Sequence, residues 1–557
     1  MTKLKNSQTV TSKLFNFRPF FFAAICFCLG IAFCYFHIFY GVSAWWSLCL
    51  IPIALAPFLF CRTRRETLQR IIAITWLLVA FFVGFFGFSH RVHSYQDSVY
   101  YNGRYYVTGT VVGKTYHGDL ATLTLKGVAI DEERVDGKLI AYLSTAFVED
   151  LSLSDKILLQ GDVQTITSCM GEYGFRASEI GDNVRFECNR VQNVVKVGKA
   201  FDPFLTMRNR LQERIYAGMD EGSAAITVAV LTGDSSGMES GLLQNMRAGG
   251  IAHIFAVSGL HVGALFGFCL AVLKVKPFRK LSKPSRFILL ASLLLFYAGV
   301  CGFSPSILRA TVICLVAYGA TLLGTGTDFL ESLGGAALVI LLLQPTALFE
   351  VGFQLSFLAC LGLALLSTPI QNGCELVYAK VRGAFPPRKL TDSERKMIER
   401  GDTLPPSIPA RMVRSVISFV SVSLAAQIAT APLQLHTFGY FSPLSLLLNC
   451  IFVPMLTCVF AALLLCAIIA CFLPVGAVGW LLGIPSMLWS GVLLLFEYVD
   501  FTKFVWSGWE VPTGGVISYY TGCTFLSDKW NLQRRIRYAI AAVCMLTFAV
   551  CLLLANL

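Results

Sequence analysis

The sequence predicts a polytopic α-helical membrane protein of about eleven to thirteen spanning or re-entrant helices, with an inserted extracytoplasmic small β-barrel domain of OB-like type. Three observations predict it. Hydrophobic residues make up 55% of the 557-residue chain and charged residues 14%, a balance unlike that of a soluble globule. Apolar runs of roughly 20 residues recur along most of its length. Between 89 and 204 these runs give way to short, alternating, β-branched stretches.

Taken in chain order, 1–88 is an N-terminal three-helix membrane segment, with apolar runs near 19–39, 45–60 and 71–88. The first run is too long for a cleavable signal and lacks a small-residue cleavage site. Basic residues gather beside such runs: Lys3, Lys5, Lys13 and Arg18, then 62–70, 274–286 and 380–414. The net charge of +12 therefore reads as topology under the positive-inside rule rather than as a nucleic-acid surface. It places the N-terminus in the cytoplasm and 89–204 outside the inner membrane. The loops 274–286 and 371–412 then return to the cytoplasm.

The 89–204 segment holds five candidate strands, at 105–112, 119–130, 138–144, 156–166 and 183–197, separated by Gly, Asp and Asn. Five strands suit an OB-type barrel, and an SH3-like barrel fits nearly as well. Tyr105, Tyr106, Tyr116, Tyr142 and Phe186 could stack on bases. However, 12 Lys and Arg stand against 15 Asp and Glu in this segment, which makes no electrostatic funnel for nucleic acid. The run 109–115 falls one residue short of a phosphate-binding loop, and strand formers flank it, so a Walker-type site is excluded. Cys169 and Cys188 are the two cysteines of the segment and suggest one disulfide, with two separate thiols as the alternative.

Residues 205–502 form the larger membrane domain. Its entry, 205–220, puts Leu211, Ile215 and Met219 on one face and suits an amphipathic helix on the membrane surface. The stretch 222–248 is too polar to span and reads as helical and partly buried. Segment 249–268 then sets His253, Ser258 and His261 among glycines in an apolar run. Such a helix must face protein or a water-filled path, since lipid charges several kcal/mol for each unsatisfied polar group. Gly259, Gly263 and Gly267 make a close-packing seam at spacing four.

More polar residues follow inside later runs: Arg309, Glu350, Gln354, Ser356, Gln427 and Asn449. Prolines 305, 345, 432, 443 and 454 stand beside them, and interrupted helices are tolerated where backbone lines a cavity. Arg309 and Glu350 fall near the outer ends of neighbouring spans, so an ion pair between them is expected. Arg309 and Arg247 are candidate cations at an outer entrance. A serine near two histidines also admits an intramembrane hydrolase, although no adjacent acid can be read. Residues alone thus leave a transporter, a channel and, weakly, a hydrolase. Residues 503–557 add a C-terminal membrane segment, and the basic run 529–537 suggests a cytoplasmic turn before the last span.

The ordered set 231-LTGDSSGM-238, 249-GGIAHIFAVSGLHVG-263, 304-SPSILRA-310, 352-GFQLSF-357, 429-ATAPLQLHTFGYFSP-443 and 449-NCIFVP-454 resembles the competence region of the ComEC family. The β domain, with 171-GEYGFRASEIGDN-183, resembles that family's OB-like domain. The resemblance implies an inner-membrane channel for single-stranded DNA in natural transformation, with 205–502 as its transmembrane channel domain. It implies an extracytoplasmic DNA receptor and a cytoplasmic helicase or single-strand-binding proteins as partners, and no cofactor. The path would be lined by His253, Ser258, His261, Arg309, Gln354, Ser356, Gln427, Asn449 and Arg247. Many relatives continue into a metallo-β-lactamase-like domain; no HxHxD motif occurs in this sequence, so no nuclease activity is expected of it. A small-molecule or lipid-linked transporter on the same scaffold is the alternative.

Overall fold

The computed structural model describes residues 18–43, 64–97, 99–117, 120–148, 150–171, 174–251, 258–276, 278–324, 328–383, 408–526 and 533–556. The expected span at 45–60, His253 and most of the basic loop at 384–407 lie outside the described residues.

Helices α1 (Pro19–Tyr40) and α2 (Arg64–Gln96) lead into the β domain. They meet through two glycines. Gly30 lies on the Phe81 carbonyl of α2 and Gly84 on the Phe27 carbonyl of α1, so a Cβ at either would strike backbone. This is close approach by small residues, as in membrane helix pairs.

The β domain follows as β1 (Asn102–His117), β2 (Leu120–Ile130), β3 (Lys138–Ser144), β4 (Asp155–Thr165) and β5 (Val184–Lys199). Burial alternates along β2, β3 and β4 as the sequence alternation requires. Inward residues such as Val107, Leu123, Leu139, Ile157 and Phe186 make one core. Strand β1 pairs with β4 through its first half and with β2 through its second. Pairing then runs from β2 to β3, from β3 to β5 in parallel, and from β5 to β4, so the hydrogen bonds close a circuit of five strands. The long strands change register at Thr108/Thr110, Val111/Gly113, Lys156/Ile157 and Gln160/Asp162. Such bulges supply the bend a strand needs to pair on both sides.

A short helix, α3 (Ala177–Asp182), sits between β4 and β5. Its C-terminal carbonyls at Ile180 and Gly181 accept hydrogen bonds from the Arg91 guanidinium of α2, at 2.9 and 3.1 Å, and Tyr95 donates to the Val184 carbonyl at 2.7 Å. Phe175, just before α3, enters an aromatic cluster with Tyr35, Phe39, Phe88 and Phe349, its ring centroids 5.2–5.8 Å from theirs. The β domain is thus tied to the membrane helices on both sides of α3.

Beyond it come α4 (Pro203–Gly218), α5 (Glu221–Thr232), α6 (Ser240–Ala248), α7 (Gly259–Leu273), α8 (Lys283–Val300), α9 (Pro305–Leu322) and α10 (Phe329–Leu343). Then follow α11 (Val351–Gly383), α12 (Ile408–Phe438), α13 (Ser445–Ala470), α14 (Val475–Tyr498), α15 (Thr513–Leu526) and α16 (Arg534–Asn556). Among the described residues eight helices are long and apolar enough to cross a membrane: α1, α2, α8, α11, α12, α13, α14 and α16. Apolar helices α5, α7, α9 and α10 are shorter. The expectation of eleven to thirteen crossings or re-entrant helices counted α7, α9 and α10 among them. Within the run 251–273 the described helix is Gly259–Leu273, capped by Ser258, and 329–344 stops before a 3₁₀ turn at Pro345–Phe349. The expected loop at 371–412 also differs, because α11 continues as helix through Gly383.

The chain divides into two compact units. One contains Phe17–Gln354 with Pro454–Thr502, and the other Leu355–Val453 with Lys503–Leu557. In the first, Asn245 of α6 clamps the end of α14. Its amide nitrogen donates to the Phe496 and Val499 carbonyls at 2.6 and 2.7 Å, and its oxygen accepts from the Phe501 N–H at 2.7 Å. In the second, Pro432 removes the N–H that the Ile428 carbonyl would use. The Tyr519 hydroxyl of α15 donates to that carbonyl at 2.8 Å, and Tyr520 donates to Ala429 at 2.9 Å.

Candidate functional site

Polar side chains inside the apolar helices gather in two groups, one in each unit. The first centres on Arg309, which α9 buries to 4% exposure. Its guanidinium lies against Gly352 at the start of α11, where an added Cβ would come within 3.4 Å. Its Nε has no hydrogen-bond partner among the described residues. A guanidinium and a helix N-terminus here present positive charge together, and Glu350 is the residue that precedes the helix.

The expected direct Arg309–Glu350 ion pair is not formed: no carboxylate comes within 4 Å of Arg309 among the described residues. Glu350 instead accepts a 2.6 Å hydrogen bond from the Gln344 amide, across the 3₁₀ turn. The two charges still act on each other electrostatically. Gln354 is also occupied, donating to the Leu348 carbonyl at 3.0 Å and so closing the same turn. Gly181 of α3 abuts Gln344. This polar group therefore sits directly against the β domain. Sequence reading missed Gln344 and Gly352; a Gln beside the Pro345 break was the available signal.

Ser258 and His261 belong to the same unit and do meet. Ser258 precedes α7 at the N-cap, and His261 is the third residue of the helix. The His261 Nδ1 accepts the Ser258 N–H at 2.9 Å and lies 3.1 Å from its Oγ. That is a capping-box arrangement, with histidine in the place usually taken by Glu or Gln. An Nδ1 that accepts a backbone N–H carries no proton, so this His261 is the neutral Nε2–H form. The ring is fully buried and meets Phe460 edge-on at 4.9 Å. The pair thus serves to start a helix in an apolar setting, which argues against a nucleophile and its base. The Ser-x-x-His spacing was itself the cap signal. Arg247, on α6, is exposed.

The second group lies on α12 and the start of α13. Gln427 donates to the Ser445 hydroxyl at 2.8 Å, and Asn449 follows Ser445 by one turn with a buried Oδ1 that has no partner among the described residues. Thr430 and Gln434 continue the α12 face, their side chains 3.4 Å apart, and His436 contacts the Val511 carbonyl at 2.8 Å. Ser356 is half-buried on α11.

Cys169 and Cys188 are separate buried thiols. Cys188 lies against Gly161, where a Cβ would strike its sulfur. Burial pushes its thiol up to about 12, and that of Cys169 to about 11, so neither is a ready nucleophile.

The buried polar groups fall within a region that a family model described as "Competence protein" matches, residues 230–533. The chain belongs to the Competence protein family. With eight apolar helices of crossing length among the described residues, this family member is a multi-pass membrane protein. A curated relative, "ComE operon protein 3" of Bacillus subtilis (strain 168), is 26% identical over 308 residues. That alignment covers 55% of this chain and 31% of the relative, so the chain spans about a third of the relative's length. No solved structure matches the chain.

Proposed function

We infer that this competence-family protein is an inner-membrane channel that passes single-stranded DNA into the cytoplasm during natural transformation. Family membership over 230–533 carries the reading. The buried Arg309, with an unpartnered Nε beside a helix N-terminus, supports it, because a passing phosphate would satisfy both. Asn449 offers a buried amide oxygen to the same kind of polar path. The N-terminus is cytoplasmic and the β domain extracytoplasmic in this reading. The strand circuit 1-2-3-5-4 with its parallel β3–β5 pair supports an OB-like barrel for that domain. An extracytoplasmic DNA receptor would deliver the strand, and a cytoplasmic helicase or single-strand-binding proteins would draw it in. The protein acts as a channel in this account, not as an enzyme.

Uptake of labelled DNA tests the reading in a deletion strain complemented by wild type, His261→Ala or Arg309→Gln. Deletion should strand DNA at the surface or in the periplasm, and wild type should restore entry. Arg309→Gln at normal expression should lower entry about tenfold or more, the cost of roughly one charge-assisted contact. Unchanged uptake in a deletion of a demonstrably transformable host would sink the channel reading and turn attention to solutes.

A further inference from the structure

An open cleft of about 720 Å³ lies where β5 ends and α4 begins. One wall is a single face of α4: Thr206, Arg210, Glu213, Arg214 and Ala217 recur with the helical period. Lys199 at the end of β5 completes the rim. Three cations therefore face one carboxylate, and none of the three pairs with a carboxylate among the described residues.

The other face of α4 is fixed. Leu205 is part of the β-domain core and Arg208 pairs with Asp234 at 3.2 Å, while Asn209, which lines the cleft, donates to the Leu153 carbonyl at 3.1 Å. The cleft cations are thus held outward by a helix that cannot roll.

Two turns between membrane helices meet α4. Phe204 packs on Phe296 and Phe303 at 5.7 and 5.6 Å, beside the 301–304 turn. Arg210 stands 6.0 Å from the Phe472 ring in the turn between α13 and α14. Such turns mark the bilayer surface, so α4 lies in the interfacial plane. Phe472 is 76% exposed, and α14, on which Gly218 of α4 packs, turns Trp480 outward at 91% exposure. Phe201 stands in the cleft at 91% exposure. Cations thus sit beside outward-facing apolar side chains at bilayer depth. A phosphodiester headgroup with acyl chains uses both surfaces, whereas a free phosphate or a DNA backbone uses the cations alone.

We propose that this cleft binds the headgroup of an anionic phospholipid and pins the β5–α4 junction to the membrane surface. The proposal needs the chain to be membrane-embedded and does not rest on the DNA reading.

The test uses the full-length protein in neutral detergent. Short-chain phosphatidylglycerol, short-chain phosphatidylcholine and glycerol phosphate are titrated against its unfolding midpoint. Binding of a fluorescent single-stranded oligothymidylate is read by anisotropy. Phosphatidylglycerol should raise the midpoint, and the other two ligands should not. The triple variant Lys199→Ala, Arg210→Ala, Arg214→Ala should raise the half-saturating phosphatidylglycerol concentration on the order of 100-fold. Lys126→Ala, an exposed cation elsewhere on the β domain, should leave it unchanged. If the triple variant melts early without lipid, Arg214→Gln alone should still give roughly a fivefold rise. Equal protection of wild type and variants by phosphatidylglycerol overturns the proposal. So does equal protection by glycerol phosphate, or a variant that keeps lipid protection and loses the oligonucleotide.

Discussion

Arg309 and Tyr519 show how single side chains manage polar groups among apolar helices. Arg309 is buried with its Nε unpartnered among the described residues, and its guanidinium rests in contact range of Gly352. Tyr519 does the opposite task, satisfying the Ile428 carbonyl that Pro432 leaves without a donor. Tyr519→Phe keeps the ring and removes the hydroxyl. It should cost about 1 kcal/mol in reversible denaturation, the range for hydrogen bonds between membrane helices. Tyr498→Phe, at an exposed position, is the matched control and should cost nothing measurable. Equal stability of the two variants would mean that the carbonyl finds another donor.

At the scale of elements, α4 is held by the Arg208–Asp234 pair. Burial alone would raise the Asp234 carboxyl, but Arg208 and the hydrogen bonds from Ser236 and Gln212 outweigh it and hold it below the usual carboxylate range. A depressed folded pKa gives stability that is full above the unfolded value, about pH 3.9, and is lost as pH falls through the folded one. Arg208→Ala leaves the carboxylate largely buried without its cation, which should cost roughly 2–3 kcal/mol at neutral pH. In that variant the cation no longer opposes burial, so the folded pKa rises relative to wild type and less stability should be lost as pH falls through the acid range. Stability-against-pH curves of the two proteins check this, and parallel curves would refute it.

For the whole chain, what matters is how the β domain is tied to the membrane helices of its own unit. The ties are the Phe175 cluster and the Arg91 and Tyr95 hydrogen bonds around α3. Phe175→Ala removes the centre of the cluster and should cost about 2 kcal/mol locally. Hydrogen exchange across 174–182 should then quicken by roughly 30-fold, while inward residues of β2–β4 keep wild-type protection. If exchange quickens equally through the strands, the cluster supports the β fold itself and not its docking.

The sequence by itself determined the class of this protein and much of its layout. Long apolar runs have few stable solutions in a bilayer, and strict alternation has few outside one, so helices and strands fall close to where periodicity put them. The ordered motifs from Leu231 to Pro454 also sufficed for the family. Tertiary structure decided what each polar residue does. Ser258 and His261 read as candidates to line a polar path, and the fold joins them in a helix cap, because the same spacing serves a cap and a polar helix face alike. Arg309 and Glu350 read as partners, yet Gln344 takes the carboxylate, since a competitor only six residues away has no periodic signature. Tyr519 and Asn245 were invisible for a related reason. Each satisfies backbone groups 91 to 256 residues distant, and only the folded chain brings donor and acceptor together.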